Sequence, residues 1–448
     1  MLSQLLQKLK NKHFLSLAGN GIMSVLGMLT MILLYRALSV TDIGLWVFFL
    51  STLLFVDTFR SGFITTAFIK FYAGADPKRS TEVVGSAWVI AIAITSVMIL
   101  LDAVAYLFVD YISSPSILLL IKWFSVTFSV SLPTFIASCV VQGEQRFDRL
   151  LVLRLVTQGS YIVSIIFLIL LGLTSLENIL YAYIASAFLA SLFSLVVGWA
   201  RIGSIRFRTP ACVHELFHFG KYSVGTTLSS NFLGTSNTFV INFMIGPEAL
   251  AVYNLGQRLI ELVEIPLRSF AATGMPELAA AYNLGKKEQV ISTMQRYISL
   301  ITMALVPVCL TGIVFADIAI EIIGGEKYLT TEAANILRIL LVISLLYPLD
   351  RFLALTLDVI HQPRINFIKV IIMLVTSVIV TFLGVYATGS VYAVAVAIVI
   401  PTVIGIGIGY WGMNQYSSFG LMDIFQMSYF NSLQIVQEYR LKIQGRKN

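Results

Sequence analysis

Long apolar runs, separated by short connectors that hold most of the charge, are the dominant pattern along this chain. A helix needs ~20 apolar residues to cross a bilayer core. Twelve stretches meet that measure: 14–35, 43–69, 83–109, 116–140, 151–173, 178–200, 222–245, 249–273, 291–314, 334–359, 366–387 and 391–414. The pattern predicts an all-α polytopic membrane protein of about 12 transmembrane helices. The first run continues to Tyr35-Arg36 with no small-residue cleavage site, so it reads as a span and not as a removed leader.

Two further segments read as helices lying on a membrane surface. In Cys212 to Tyr222, Leu216, Phe217 and Phe219 stand among His214, Glu215, His218 and Lys221. From Ser417 onward, Met422, Phe425, Tyr429, Leu433 and Val436 recur at helical steps among polar residues, with a thirteenth span over 417–437 as the alternative. The expected organisation is a six-helix bundle over 1–200, a cytoplasmic linker with an interfacial helix over 201–221, a second six-helix bundle over 222–415 and a cytoplasmic amphipathic tail over 416–448.

The two halves carry a faint repeat. A shift of 207 positions sets the segment starting at Leu38, with Trp46, against the segment starting at Ile245, with Tyr253, brings Asp57 onto Glu264 and places Arg60 next to Arg268. Parallel duplication of this kind is common in membrane transporters. Trp46, Tyr253, Tyr347 and Tyr410 stand near span ends and read as interface-belt aromatics.

Composition removes the soluble alternatives. The chain is 58% hydrophobic and 12% charged, with mean hydropathy +0.87, which leaves no polar skin for a water-soluble enzyme of 448 residues. The net charge of +7 does not point to nucleic acid, because most of the 30 lysines and arginines gather in alternate connectors. Clusters such as Lys8/Lys10/Lys12, Arg146/Arg149/Arg154 and Arg201/Arg206/Arg208/Lys221 lie on one side, with Arg364 and Lys369 counted there too, against Arg36, Lys327 and Arg338 on the other. By the positive-inside rule both termini are cytoplasmic. No connector holds a catalytic domain, no nucleotide-binding glycine loop is present, and Cys139, Cys212 and Cys309 have no metal-ligand or disulfide spacing. His214 and His218 lack a third ligand, so neither an enzyme, a metal nor a cofactor is expected.

The segment Arg36 to Trp46 after the first span, Gln142-Gly-Glu-Gln-Arg-Phe147 after the fourth, and the basic linker with its amphipathic approach to span seven resemble the polysaccharide and O-antigen flippases. These belong to the multidrug/oligosaccharidyl-lipid/polysaccharide exporter superfamily, and the resemblance covers about residues 1–415. It implies two six-helix bundles in a V with a cavity between them. It also implies outward movement, across a bacterial or archaeal inner membrane, of a polyprenyl-pyrophosphate-linked oligosaccharide such as an O-antigen, capsule or exopolysaccharide unit. Membrane lipids and polysaccharide assembly proteins are the partners it implies.

Ionisable residues inside spans cost ~2.5–3.5 kcal/mol each on insertion scales, so they concentrate at sites that use them. Span two carries Asp57 and Arg60, span four Lys122, span eight Arg258, Glu261, Glu264 and Arg268, and span ten Asp350 and Arg351 beside Pro348. Two readings stand. Asp57–Arg60 and Glu264–Arg268 are local ion pairs holding helices together, or Arg60, Arg258, Arg268, Arg351 and Lys122 line a cavity and attract the pyrophosphate, with the carboxylates Asp57, Glu261, Glu264 and Asp350 tuning charge or holding a coupling proton or sodium ion. The rival function is a cation-coupled multidrug or small-molecule antiporter of the same superfamily. A membrane glycan polymerase or glycosyltransferase fits less well, because the outer connectors are short. Gly405, Gly407 and Gly409 read as close helix packing, and the prolines of the second half as sites of bending.

Overall fold

A computed structural model of the chain describes residues 12–420. The amphipathic tail beyond Gly420, with its alternative thirteenth span, lies outside the described residues, as do Lys8 and Lys10.

All regular structure among the described residues is helical. The helices are α1 (Lys12–Ala37), α2 (Val40–Tyr72), α3 (Pro77–Tyr106), α4 (Pro115–Val130), α5 (Leu132–Gly143), α6 (Phe147–Leu170), α7 (Leu176–Val196), α8 (Pro210–Met244), α9 (Pro247–Asn283), α10 (Lys287–Val314), α11 (Ala316–Gly324), α12 (Ala333–Ser344), α13 (Tyr347–Val359), α14 (Pro363–Thr388), α15 (Val391–Ala397) and α16 (Val399–Tyr416). Each of the twelve expected runs coincides with one helix or one broken pair of helices. By length and hydropathy, seven helices among the described residues are able to cross a membrane, or up to nine when each sharply bent pair is taken as one span. Helices α8 and α9 fall outside that set because serine, threonine and asparagine in the first and charged residues in the second lower their hydropathy.

Helix starts follow local chemistry. Ser39 caps α2 by accepting from the Asp42 N–H at 3.1 Å, and Asp76 caps α3 at 2.6 Å from the Arg79 N–H, with Pro77 in the first turn. Under the 207-residue shift the first residue of α2, Val40, falls on the first residue of α9, Pro247.

The chain forms two compact units, Met1–Thr238 and Phe239–Asn448, and the division falls within α8. In the first, α2 lies against α3, α4 and α5, while α6 lies against α1 and α7. In the second, α9 lies against α10, α12 and α13, while α14 lies against α16. Spans two, three and four of one unit are therefore arranged as spans eight, nine and ten of the other. The fourth span of each half is broken in the same manner, α4 and α5 meeting at 43° and α12 and α13 at 44°. Pro133 and Pro348 are each the second residue of the helix that follows the break. A proline there lacks the N–H that would continue the preceding helix and its ring crowds the carbonyl four residues back.

Three sequence expectations need correction. Cys212 to Tyr222 is not a separate surface element: it forms the first turns of the unbroken helix α8. No helix-ending residue interrupts it, and Gly220 lies inside the helix against α2, where an added Cβ would strike the Phe63 carbonyl oxygen. Trp46 and Tyr253 are not belt residues. They are 3% and 1% exposed, and Trp46 packs edge-on against Tyr183 at 5.2 Å. Both stand in the second turn of their helix, where the repeat places a large ring in each core. Lys369, counted above with the cytoplasmic cations, is 2% exposed within α14.

Candidate functional site

Most of the intramembrane charges sort into two clusters, each around a buried cation, and one more exposed stripe. Arg60 of α2 is 2% exposed and serves the break in span four. Its Nη1 donates to the Phe128 carbonyl at 3.2 Å, and its Nη2 donates to Ser131 Oγ at 2.9 Å. Nη2 also stands 2.6 Å from Asp57 Oδ1, an ion pair without the alignment of a hydrogen bond. The guanidinium lies over the rings of Phe128 and Phe135 at 4.3 and 4.7 Å. The last carbonyls of a helix lack intrahelical partners and carry the negative end of its dipole. Arg60 thus places a cation on the C-terminus of α4, while Ser131 Oγ donates back to the Phe128 carbonyl at 2.9 Å. At the second break Ser344 makes the same return bond, to the Leu341 carbonyl at 2.7 Å, and its neighbour there is Cys309 Sγ at 3.5 Å.

The repeat explains why the matching pair in α9 behaves differently. The shift that carries Asp57 onto Glu264 carries Arg60 onto Leu267, which is 6% exposed. Arg268 follows one position later, about 100° further round the helix, and its side chain is 68% exposed. It pairs with Glu264 at 2.9 Å, and Arg258 pairs with Glu261 at 2.8 Å. These four residues form a charged, partly exposed stripe along α9, with Arg268 its most exposed member. A slip of one residue between the halves converts a buried clamp into exposed charge.

The other buried cluster joins α13, α14 and α16. Lys369 Nζ donates to Asp350 Oδ1 at 2.6 Å and lies 3.4 Å from the Asp350 carbonyl. Asp350 sits in the first turn of α13, where a carboxylate is stabilised by the helix dipole. Gly405 of α16 leaves room for the pair: a Cβ there would come within 3.1 Å of Asp350 Oδ1 and 2.5 Å of Met373 Sδ. Gly409 and Gly412 continue the same face, where an added Cβ would come within 3.1 Å of Leu353 and 3.0 Å of Ile365, whereas Gly407 faces open space. Close packing accounts for Gly405 and Gly409 and does not extend to Gly407.

Arg351, beside Asp350, is exposed and has no carboxylate within ion-pair distance among the described residues. Its neighbour Phe352 reaches α9, where the ring lies 3.0 Å from the position of a Cβ on Gly274. Lys122 is brought to neither cluster. It is exposed near the start of α4 and pairs with Glu177 of α7 at 2.9 Å. Asp102 accepts a hydrogen bond from Ser125, and Asp358 accepts from Asn366 Nδ2 at 3.1 Å. Sequence reasoning missed Lys369 as an intramembrane cation, although its place four residues into an apolar run was the available signal.

Helices of these lengths, arranged as two pseudo-repeated units with charge inside the spans, define a multi-pass membrane protein. The polysaccharide biosynthesis protein family matches residues 9–281 and the MatE family matches residues 223–383. The chain belongs to the polysaccharide biosynthesis protein family.

Solved structures agree on the fold. An inward-facing multidrug resistance MATE family transporter of the MOP superfamily has TM-score 0.73 at 18% identity, covering 88% of this chain and 94% of its own. The lipid II flippase MurJ in an inward closed conformation has TM-score 0.73 at 14% identity, covering 96% and 92%. A MOP superfamily transporter from Pyrococcus furiosus, described as having a binding pocket of reversed polarity, has TM-score 0.58 at 16% identity, covering 90% and 95%. No curated protein matches by sequence.

Proposed function

We propose that the chain is a flippase that moves a polyprenyl-pyrophosphate-linked oligosaccharide from the cytoplasmic to the outer leaflet of the inner membrane by alternating access. The observation that carries this reading is membership of the polysaccharide biosynthesis protein family over residues 9–281, more than half of the chain. The charge pattern supports it. Arg351 is exposed without a carboxylate partner among the described residues, which suits a diphosphate better than a cation, whereas Arg258 and Arg268 are each held by a glutamate and would have to leave it to meet a phosphate. Both termini are cytoplasmic in this reading, as the connector charges require.

The rival reading, a proton- or sodium-coupled antiporter, is favoured by the MatE match over residues 223–383. It needs a carboxylate free to take up the ion. Each of the four carboxylates considered for that role already faces a cation: Asp57 faces Arg60, Glu261 faces Arg258, Glu264 faces Arg268 and Asp350 faces Lys369. Bringing a coupling ion to any of them first requires that pair to separate.

Energetics fit lipid-linked transfer. An oligosaccharide crossing hydrocarbon leaves hydroxyls unpaired at about 1–3 kcal/mol each, which a wet groove avoids while the polyprenyl tail stays in lipid. Moving about two negative charges outward is driven by an inside-negative potential and is favourable by ~2.3 kcal/mol per charge per 100 mV. The test is genetic. Deletion in the native host should remove surface glycan and accumulate its lipid-linked precursor, and a plasmid copy should restore it while R268A and R351A copies restore it poorly. Wild-type surface glycan in the deletion strain overturns the proposal.

A further inference from the structure

We propose that a cationic cleft in the first unit, formed by α3, the 3-10 turn Ile202–Phe207 and the start of α8, binds the phosphate headgroup of a membrane lipid. The cleft has a volume of about 640 Å³ and is lined by Arg206, Arg208 and His214 together with the apolar Val89, Pro210 and Phe217. Cations beside an apolar wall are the combination that takes a charged headgroup with the beginning of its chain. The inference does not depend on which substrate the protein moves.

Charge accounting singles these arginines out. In the same unit, Glu144 accepts from both Arg149 and Arg201, Asp148 holds Arg146, and Glu82 and Glu215 hold Arg79. These carboxylates are thereby occupied. Arg206 and Arg208 have no carboxylate within ion-pair distance among the described residues, and both line the cleft. Arg206 donates from Nε to the Gly203 carbonyl at 3.1 Å and its guanidinium lies 5.8 Å from the Phe207 ring centre, which leaves its two terminal nitrogens for a bidentate oxyanion contact.

The turn that presents them is held rigidly. Trp88 Nε1 donates to the Ala200 carbonyl at 2.8 Å, and Gly85 admits the Ser204 carbonyl where a Cβ would collide. Arg201 opens the turn at φ 44°, a left-handed conformation costly for a residue with a side chain. Such fixing leaves less to order when a ligand arrives. Phe217, 50% exposed on α8, supplies the apolar wall.

Native mass spectrometry of the full-length protein in detergent tests this, with phosphatidylglycerol, a polyprenyl pyrophosphate and zwitterionic phosphatidylcholine as probes. The wild type should retain one anionic lipid, and R206Q/R208Q should weaken that adduct about tenfold or more. R146Q/R149Q removes the same charge but leaves the cleft intact, and should bind as wild type. Preference for phosphatidylglycerol would make the ligand a bulk leaflet lipid and preference for the polyprenyl pyrophosphate a carrier lipid; either supports the phosphate site. Equal loss in both double variants, retention in R206Q/R208Q with an unchanged melting temperature, or no binding of either anionic lipid overturns it. A filled cleft in a protein that moves no lipid-linked glycan would leave this inference standing and refute the function proposed above.

Discussion

Lys369 of α14 and Asp350 of α13 meet at 2.6 Å, with 3% of the lysine side chain exposed, in space that Gly405 leaves open. Removing one partner of a buried pair strands the other charge, while removing both costs far less. K369A should therefore destabilise the protein by about 3 kcal/mol, and K369M/D350N should recover most of that loss. Thermal unfolding of the purified protein in detergent reads this directly. A K369A variant as stable as wild type would show that the pair does not hold these helices together.

Arg60 and Arg268 should separate stability from transport. R60A removes the cation on the last turn of α4 and two hydrogen bonds to the break, so it should cost about 3 kcal/mol in stability. R268A breaks a pair whose arginine side chain is 68% exposed, and exposed pairs contribute only about 0–1 kcal/mol. R268A should melt near the wild-type temperature and still reduce surface glycan. Equal melting losses in the two variants would contradict the assignment of one as clamp and the other as exposed charge.

Glycines of α8 provide an internal control. A Cβ on Gly220 would strike the Phe63 carbonyl oxygen and come within 3.0 Å of its carbon, whereas one on Gly225 meets nothing within 4 Å. Backbone in contact cannot swing aside like a flexible side chain, so G220A should lower the melting temperature measurably. G225A should be neutral or gain up to about 1 kcal/mol from helix propensity. Indistinguishable melting curves for the pair would refute the close α2–α8 approach.

The positions of the helices were largely legible in the sequence, because apolar run length is set by bilayer thickness and the same runs form helices here. The start of α9 was legible to within two residues, the expected run beginning at 249 and the helix at Pro247. The roles of the charges were less legible. Periodicity puts Arg60 and Arg268 on comparable turns, but only packing shows that Leu267 holds the buried position and Arg268 the exposed one. Lys369 was missed because a lysine near the end of an apolar run ordinarily reaches water, and its burial depends on Asp350 and Gly405, which come from other helices. Pro133 stands at the break in span four, while the arginine that serves the break comes from a different helix altogether.

Reconstitution into vesicles tests the central claim most directly, with a lipid-linked oligosaccharide in one leaflet and a potassium diffusion potential imposed across the membrane. Protein-dependent transfer to the opposite leaflet is expected, faster when the receiving side is positive and slowed in R268A and R351A. Transfer no greater than in protein-free vesicles, together with proton- or sodium-driven exchange of small cations, would contradict it.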